Sequence, residues 1–133
     1  MKNVTKYALV YLGGGAAYGA VELSWRGRTH WSMVVVGGLC VLILYFIAVK
    51  SGQPGWKKCI TGGAIITTIE FLSGIALNII LGWAVWDYTS LKMNLIGQIC
   101  PHFSLFWMVL SAPAMWLLCA VDRRFVGQGR YAA

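Results

Sequence analysis

Charge is scarce in this sequence. Of its 133 residues only 11% are charged and only four are acidic, whereas a soluble domain carries about 25% charged residues. Hydrophobic residues make up 59% of the chain. Basic residues lie between apolar runs rather than along one stripe, so we expect no nucleic-acid partner. These shortages exclude an ordinary soluble domain and indicate an integral membrane protein surrounded by the lipid bilayer.

Several chemical motifs are also missing. No two of the four cysteines, Cys40, Cys59, Cys100 and Cys119, stand at CxxC spacing, so we predict no metal site and no cofactor. There is no GxxxxGKS/T phosphate loop, so any energy from ATP must come from another chain. There is no recognisable nucleophile and base pair, and we therefore predict that the protein is not an enzyme.

Four apolar runs are each long enough to cross a bilayer, which takes about 20 residues. They extend over residues 7–24, 32–49, 60–82 and 100–121. The first run has features of a signal peptide, but it continues into Glu22 and Trp25, and we interpret it as a retained span. Backbone groups in lipid must hydrogen-bond internally, so each run is predicted to be a helix. The sequence predicts an all-α membrane protein, an antiparallel bundle of four transmembrane helices in a single domain, 1–133.

Basic residues are distributed unequally between the two sides of such a bundle. One side carries Lys2, Lys6, Lys50, Lys57, Lys58, Arg123, Arg124 and Arg130, and the other carries Arg26, Arg28 and Lys92. The positive-inside rule then places both termini in the cytoplasm. The expected location is the inner (cytoplasmic) membrane of the cell. Asp122, beside Arg123 and Arg124, is interpreted as an interfacial anchor or as a docking point for a soluble partner.

The third connection, residues 83–99, is about half apolar but too polar to span the membrane. We predict that it lies in the interface or dips back as a re-entrant segment, which is tolerated only against protein or a wet cavity. Pro101 suits the first turn of the fourth helix. Pro113 falls inside that helix and is expected to kink it or to weaken its hydrogen bonding.

An acidic residue, Glu70, lies about ten residues into the third run. At 1.5 Å per residue this is about 15 Å deep, near the middle of the bilayer. A charged carboxylate there costs at least ~2.5 kcal/mol. Gly63, Thr67, Gly74 and Asn78 recur with Glu70 at intervals of three or four residues, so these residues share one small, polar helix face.

Two interpretations of this face remain open. Glu70, supported by Asn78 and Thr67, is a substrate, ion or proton site, or else the polar groups only hold helices together by hydrogen bonds. The first run carries a similar stripe at Gly15, Gly19 and Glu22. We expect the two stripes to pack against each other.

Polar and aromatic residues gather on the predicted non-cytoplasmic side. We predict that they line a vestibule narrowing toward Glu70, with tryptophan faces that bind a cation. The alternative is an ordinary interfacial belt. The residues are Glu22, Arg26, Arg28, His30, Trp31, Trp86, Asp87, Tyr88, Asn94, Gln98 and His102, with Trp25, Trp83 and Trp107 as further walls. Glu22 is expected to pair with Arg26, and Asp87 with Arg26, Arg28 or Lys92.

Six stretches between Glu22 and Trp107 carry a resemblance to a known family. They read ELSWRG (22–27), HWSM (30–33), TIEFLSGIALN (68–78), VWDY (85–88), NLIGQIC (94–100) and FSLFW (103–107). Together they resemble the type IV family of ABC-transporter permeases, which are small bacterial integral membrane proteins. The resemblance implies a permease-like membrane protein and leaves the substrate open.

The sequence therefore predicts a transport permease or permease subunit. We expect a homo-oligomer, because four short helices are few for a translocation path and the small-residue faces favour self-association. An ATPase subunit is a possible partner. A sharper hypothesis is that one membrane carboxylate ringed by aromatic residues exchanges a proton for an organic cation. The predicted substrate or ion site comprises Glu70, Asn78, Glu22, Thr67, Asp87, Trp86, Tyr88, Trp31, His30, Gln98 and Trp107. The alternative is a non-transport scaffold, sensor or assembly partner.

Overall fold

The described part of the chain folds into four α-helices. The computed structural model describes residues 2–131, with side chains from residue 3 to residue 127. The helices are α1 (Lys2–Arg26), α2 (Trp31–Lys50), α3 (Gly55–Gly74) and α4 (Pro101–Tyr131), and a π-helical turn, Ile75–Ile80, follows α3 directly. Over the described range, β structure is limited to an isolated bridge between Leu95 and Ile99. The all-α prediction is confirmed. Lys2 and Arg130, two of the predicted cytoplasmic cations, lie outside the described side chains.

Within the residues that the structure describes, three stretches are long and apolar enough to cross a membrane. They are Trp31–Lys50, Gly55–Ile80 and Pro101–Gly127. The predicted third run began at Ile60, but its helix already begins at Gly55. The crossing predicted over residues 7–24 lies within α1, which is 25 residues long but less apolar because of its glycines and tyrosines. A fourth crossing stays a prediction.

Two prolines mark α4. Pro101 is its first residue, as predicted, where the missing N–H costs nothing. Pro113 lies inside α4, and the helix continues through it. Because proline has no N–H, the carbonyl of Val109 lacks its usual helical donor, but the helix does not end there.

Small residues bring α1 against α2. A Cβ on Gly15 would lie 2.6 Å from the carbonyl oxygen of Val34, and one on Gly38 would lie 2.8 Å from that of Tyr11. Only glycine permits backbones to approach this closely. The stripe of Gly15 and Gly19 therefore packs on α2, and the prediction that it packs on the polar face of α3 was wrong.

The polar face of α3 packs on α4 instead. Gly63 lies directly against Met108, with no room for a Cβ. One turn later, the hydroxyl of Thr67 donates to the hydroxyl of Ser104 at 3.0 Å. The two helices are thus held by close packing at one level and by a hydrogen bond at the next.

An ionic cluster joins α1, α2 and α4 at the end of the bundle that holds Lys6. Its amino group lies 2.9 Å from the carboxylate of Asp122, which also accepts a hydrogen bond from the Tyr45 hydroxyl at 2.6 Å. The side chain of Tyr45 is fully buried. Asp122 was predicted to be an interfacial anchor or docking point, but its carboxylate faces inward and is occupied by these two partners. An apolar core of Val10, Leu44, Ile47, Ala48, Met115 and Leu118 adjoins the cluster.

The contact between Gly63 and Met108 yields a prediction. Gly63→Ala should lower the free energy of unfolding by about 1–3 kcal/mol, because the added methyl group overpacks the α3–α4 contact. Denaturation in detergent, followed by circular dichroism, measures it. Gly13→Ala is the matched control, since nothing lies within 4 Å of its Cβ position. Equal stability of the two variants would contradict the α3–α4 packing.

Candidate functional site

Glu70 lies where α3, the connection to α4 and α4 itself meet. The residue is only 8% exposed. One carboxylate oxygen accepts a hydrogen bond from the Tyr88 hydroxyl at 2.7 Å, and the other accepts one from the indole N–H of Trp107 at 3.1 Å. Tyr88 belongs to the connecting segment, residues 81–100, and Trp107 belongs to α4. One carboxylate therefore links three parts of the chain.

No cation of the described side chains neutralises this carboxylate. The ion pairs among the described side chains are Lys6 with Asp122 and Arg26 with Glu22, and neither includes Glu70. A carboxylate offers about four lone-pair positions, of which Tyr88 and Trp107 occupy two. Burying a carboxylate without an opposite charge is costly, and two lone-pair positions of Glu70 have no partner among the described side chains.

A second acidic residue, Glu22, lies on the neighbouring helix α1. Its carboxylate accepts hydrogen bonds from the hydroxyl of Thr29 at 2.8 Å and from that of Tyr18 at 3.1 Å. The guanidinium of Arg26 lies 3.5 Å away, which confirms the predicted pair. Arg26 also donates to the carbonyl of Val85 at 3.3 Å, so Glu22 is connected to the same segment as Glu70.

Tyr18 connects the two acidic groups, and the sequence interpretation missed it. Its ring centroid lies 6.1 Å from that of Trp107, the donor to Glu70, while its hydroxyl donates to Glu22. The available signal was spacing, because Tyr18 stands four residues before Glu22 and so shares its helix face. Thr29, which completes the Glu22 site, follows α1 and carried no such signal.

Asn78 fixes the connecting segment onto the π-helical turn. Its carbonyl oxygen accepts the backbone N–H of Val85 at 2.7 Å and, more weakly, that of Trp86 at 3.4 Å. Its amide donates to the side chain of Gln98 at 2.8 Å, and the indole of Trp86 donates to the Gln98 backbone carbonyl at 3.0 Å. π-helical turns occur frequently at functional sites. Here the turn presents Asn78 to the segment that carries Tyr88.

The connecting segment holds an unusual backbone. Ala84, Met93 and Ile96 all have φ between 50° and 60°, a region that L-residues other than asparagine, aspartate and glycine rarely adopt. Such conformations persist only where surrounding contacts over-determine them, and they cluster at functional sites. In this segment Asn78 accepts the N–H of Val85, next to Ala84, and the Gln98 amide donates to the carbonyl of Ile96. Asn94, next to Met93, donates to the carbonyl of Leu91.

Some predicted site residues lie outside this arrangement. The exposed carboxylate of Asp87 accepts the Thr89 backbone N–H at 2.9 Å, and this hydrogen bond lowers the pKa of Asp87. Asp87 forms no ion pair with Arg26, Arg28 or Lys92, so that prediction was wrong. The carboxylate of Asp87 instead accepts a hydrogen bond from the backbone of its own turn.

The aromatic residues divide into two groups. His30, Trp31 and Trp83 form a separate cluster, with ring centroids 5.5–5.7 Å apart, and Nδ1 of His30 caps α2 by accepting the N–H of Ser32. Trp25 is 79% exposed and forms no wall of the Glu70 site. Trp86 and Trp107, in contrast, belong to the arrangement around Glu70. Among the described residues, no three His, Cys, Asp or Glu side chains come together as a metal site.

A groove of about 310 Å³ lies between α1 and α4 and borders the site through Tyr18 and Trp107. Residues of α2 and Ile66 of α3 form its floor. Tyr18 and Trp107 line its end nearest Glu70, and Leu117 and Leu44 line the opposite end. The lining is almost entirely apolar. An amphiphilic molecule could thus approach the aromatic pair beside Glu70 from the side of the bundle.

Comparison with known proteins adds one finding. A family model described as "Putative ABC-transporter type IV" matches residues 18–129, a range that includes Tyr18, Glu22, Glu70 and Trp107. No curated protein and no solved structure matches this chain. The resemblance found in the sequence is confirmed.

The hydrogen bonds of Asn78 yield a second prediction. Asn78→Leu, which keeps the branched shape and the number of side-chain heavy atoms, leaves the Val85 N–H without its acceptor and should destabilise the fold by about 1–3 kcal/mol. Tryptophan fluorescence should shift to the red as the buried indole of Trp86 becomes wetter. Thr68→Val is the control, because its hydroxyl bonds only to its own helix at Ala64. An Asn78 variant as stable as the control would show that the segment is held by other contacts.

Proposed function

Because the chain belongs to the "Putative ABC-transporter type IV" family, we propose that it is a membrane transport permease or permease subunit in which Glu70 binds a cationic substrate. The observation that carries the proposal is the Glu70 carboxylate, which is buried, hydrogen-bonded and without an ionic partner. Ionisable residues inside membrane segments usually mark substrate, ion or proton pathways.

In the proposed arrangement all four helices cross the inner membrane as one antiparallel bundle. Contacts between α1 and α2 support this, since Tyr18 meets Gly37 while Tyr7 meets Tyr45, so residue numbers rise on one helix and fall on the other. The cluster of Lys6 and Asp122 then lies at the cytoplasmic end, together with most basic residues. The connecting segment lies at the outer end, either in the interface or dipping back into the bundle.

The proposed substrate is an organic cation with an apolar body. The groove between α1 and α4 accommodates the apolar part, and Tyr18 and Trp107 present aromatic faces that attract a cation. The free lone-pair positions of Glu70 complete the site. The Tyr88 and Trp107 hydrogen bonds can remain in place when the cation binds, so the carboxylate is already oriented.

A second candidate function is a scaffold or assembly partner without transport. The same two hydrogen bonds favour it, because they use Glu70 to fasten α3 to the connecting segment and to α4. In that case Glu70→Gln should have only a mild effect on the function of the protein, because the glutamine side chain can still accept a hydrogen bond from one of the two donors. Substitutions of the basic residues at the opposite end should then have the larger effect.

The source of energy depends on partners. Permeases of the ABC type work with an ATPase, whereas an autonomous homo-oligomer would exchange protons for substrate. Native mass spectrometry of the gently solubilised, tagged protein at native expression separates the two. A stoichiometric ATPase makes the chain a permease subunit, and a pure homo-oligomer makes proton exchange the coupling to test.

The central prediction concerns the assembly purified in this way and reconstituted into vesicles. Uptake of radiolabelled benzyltrimethylammonium should occur with the wild type and fall to the level of empty vesicles with Glu70→Gln, because the amide cannot neutralise the cation. Helix content and membrane insertion should be unchanged, as judged by circular dichroism and flotation.

Two further variants sharpen the test. Ala17→Phe narrows the groove without touching Glu70 and should also reduce uptake. Thr68→Ala, on the exposed face two residues from Glu70, should leave uptake unchanged. Full uptake by a well-folded Glu70→Gln assembly would contradict the proposal and favour the scaffold function.

A further inference from the structure

A second groove lies at the end of the bundle that holds the Lys6–Asp122 cluster. It has a volume of about 370 Å³ and lies between the end of α2, the start of α3 and one face of α4. Lys58 and Arg123 line it together with apolar residues that include Ala112, Met115 and Trp116. We propose that this basic groove binds one anionic phospholipid, an assignment independent of the function proposed for Glu70.

The groove changes from apolar to charged along its length. On α4 its lining residues Ala112, Trp116, Cys119 and Arg123 follow one another at steps of four, three and four, so they share one helix face. At 1.5 Å per residue this face is about 16 Å long. A phospholipid has the same polarity, with its phosphate at the Arg123 end and its acyl chains along Trp116 and Ala112.

Uncompensated positive charge surrounds the charged end. Lys50, Lys57, Lys58, Arg123 and Arg124 belong to the ends of α2, α3 and α4 that meet there. The acidic residue beside them, Asp122, is taken by Lys6 and Tyr45. The other three acidic residues of the chain, Glu22, Glu70 and Asp87, belong to the Glu70 side of the bundle. Charge complementarity therefore calls for an anionic occupant.

The two lining cations have donors available for a phosphate. Lys58 donates to the carbonyl of Ala48 at 2.7 Å, which positions its amino group and leaves two of its three donors. Among the described side chains, Arg123 has no hydrogen-bond or ion-pair partner. A guanidinium and an ammonium on adjacent helices can both bond to one phosphate group.

An exposed tryptophan places the charged end of the groove at a membrane surface. Trp56, next to the lining residue Gly55, is 65% exposed, and the amino group of Lys57 lies 5.4 Å from its ring centroid. Tryptophans and basic residues together are typical of the headgroup level of a bilayer. The occupant is therefore a lipid whose phosphate lies at this depth, rather than a soluble anion.

Native mass spectrometry of the purified full chain in detergent, titrated with phosphatidylglycerol, tests the inference. One molecule should bind tightly to the wild type, and phosphatidylcholine should bind at least about tenfold more weakly. The double variant Lys58→Gln/Arg123→Gln should lose this preference. The double variant Arg28→Gln/Lys92→Gln, which removes two cations from the other end, should keep it.

Two additional measurements leave no ambiguous outcome. Ala112→Trp fills the apolar end while keeping both charges, so it should weaken phosphatidylglycerol binding even if the charge variant folds poorly. Inorganic phosphate should not compete with the lipid. The assignment is overturned if the two lipids bind equally well, or if the Arg28/Lys92 control loses the preference for phosphatidylglycerol to the same extent as the Lys58/Arg123 variant. It is also overturned if Ala112→Trp binds phosphatidylglycerol fully or if inorganic phosphate competes with the lipid.

Discussion

The hydrogen bonding of one buried carboxylate determines how the connecting segment, residues 81–100, packs against α3 and α4. Lipid offers no partners to polar groups, so every such group must be satisfied from within the chain. Glu70 meets this constraint by accepting one hydrogen bond from Tyr88 and one from Trp107. The connecting segment must therefore fold back onto α3, and Asn78 and Gln98 provide the bonds that hold it there.

The two ends of the bundle solve the same electrostatic problem differently. At one end Lys6 neutralises Asp122 directly, and the Tyr45 hydroxyl donates to the same carboxylate. At the other, Glu22 has Arg26, but Glu70 has aromatic and phenolic donors and no cation among the described side chains. Ionisable groups inside membrane segments usually mark substrate, ion or proton pathways, and the absence of an ionic partner at Glu70 therefore supports the function proposed for it.

Sequence spacing predicted the composition of helix faces better than it predicted which faces meet. The steps of three and four correctly grouped Gly63, Thr67 and Glu70, which all contact α4, because α-helical geometry fixes them. Asn78 lies beyond α3 in the π-helical turn, where this spacing no longer holds. The same logic could not choose a partner, since glycine stripes fit any helix that allows close approach, and α1 proved to pack on α2. Asp87 was wrongly predicted to pair with Arg26, Arg28 or Lys92. Its carboxylate bonds to the Thr89 N–H instead, and this turn depends on local backbone geometry that residue spacing does not show. The fold of residues 81–100 depends on side chain to backbone bonds that periodicity does not show.

Competition between a proton and a cation at Glu70 is the most direct test of this account. The affinity of the purified assembly for benzyltrimethylammonium should be measured at a series of pH values, with wild type and Glu70→Gln. If both ligands use the same carboxylate, affinity weakens as the pH falls, and Glu70→Gln loses both the affinity and its pH dependence. Binding that is independent of pH, or that Glu70→Gln retains, would contradict the central claim.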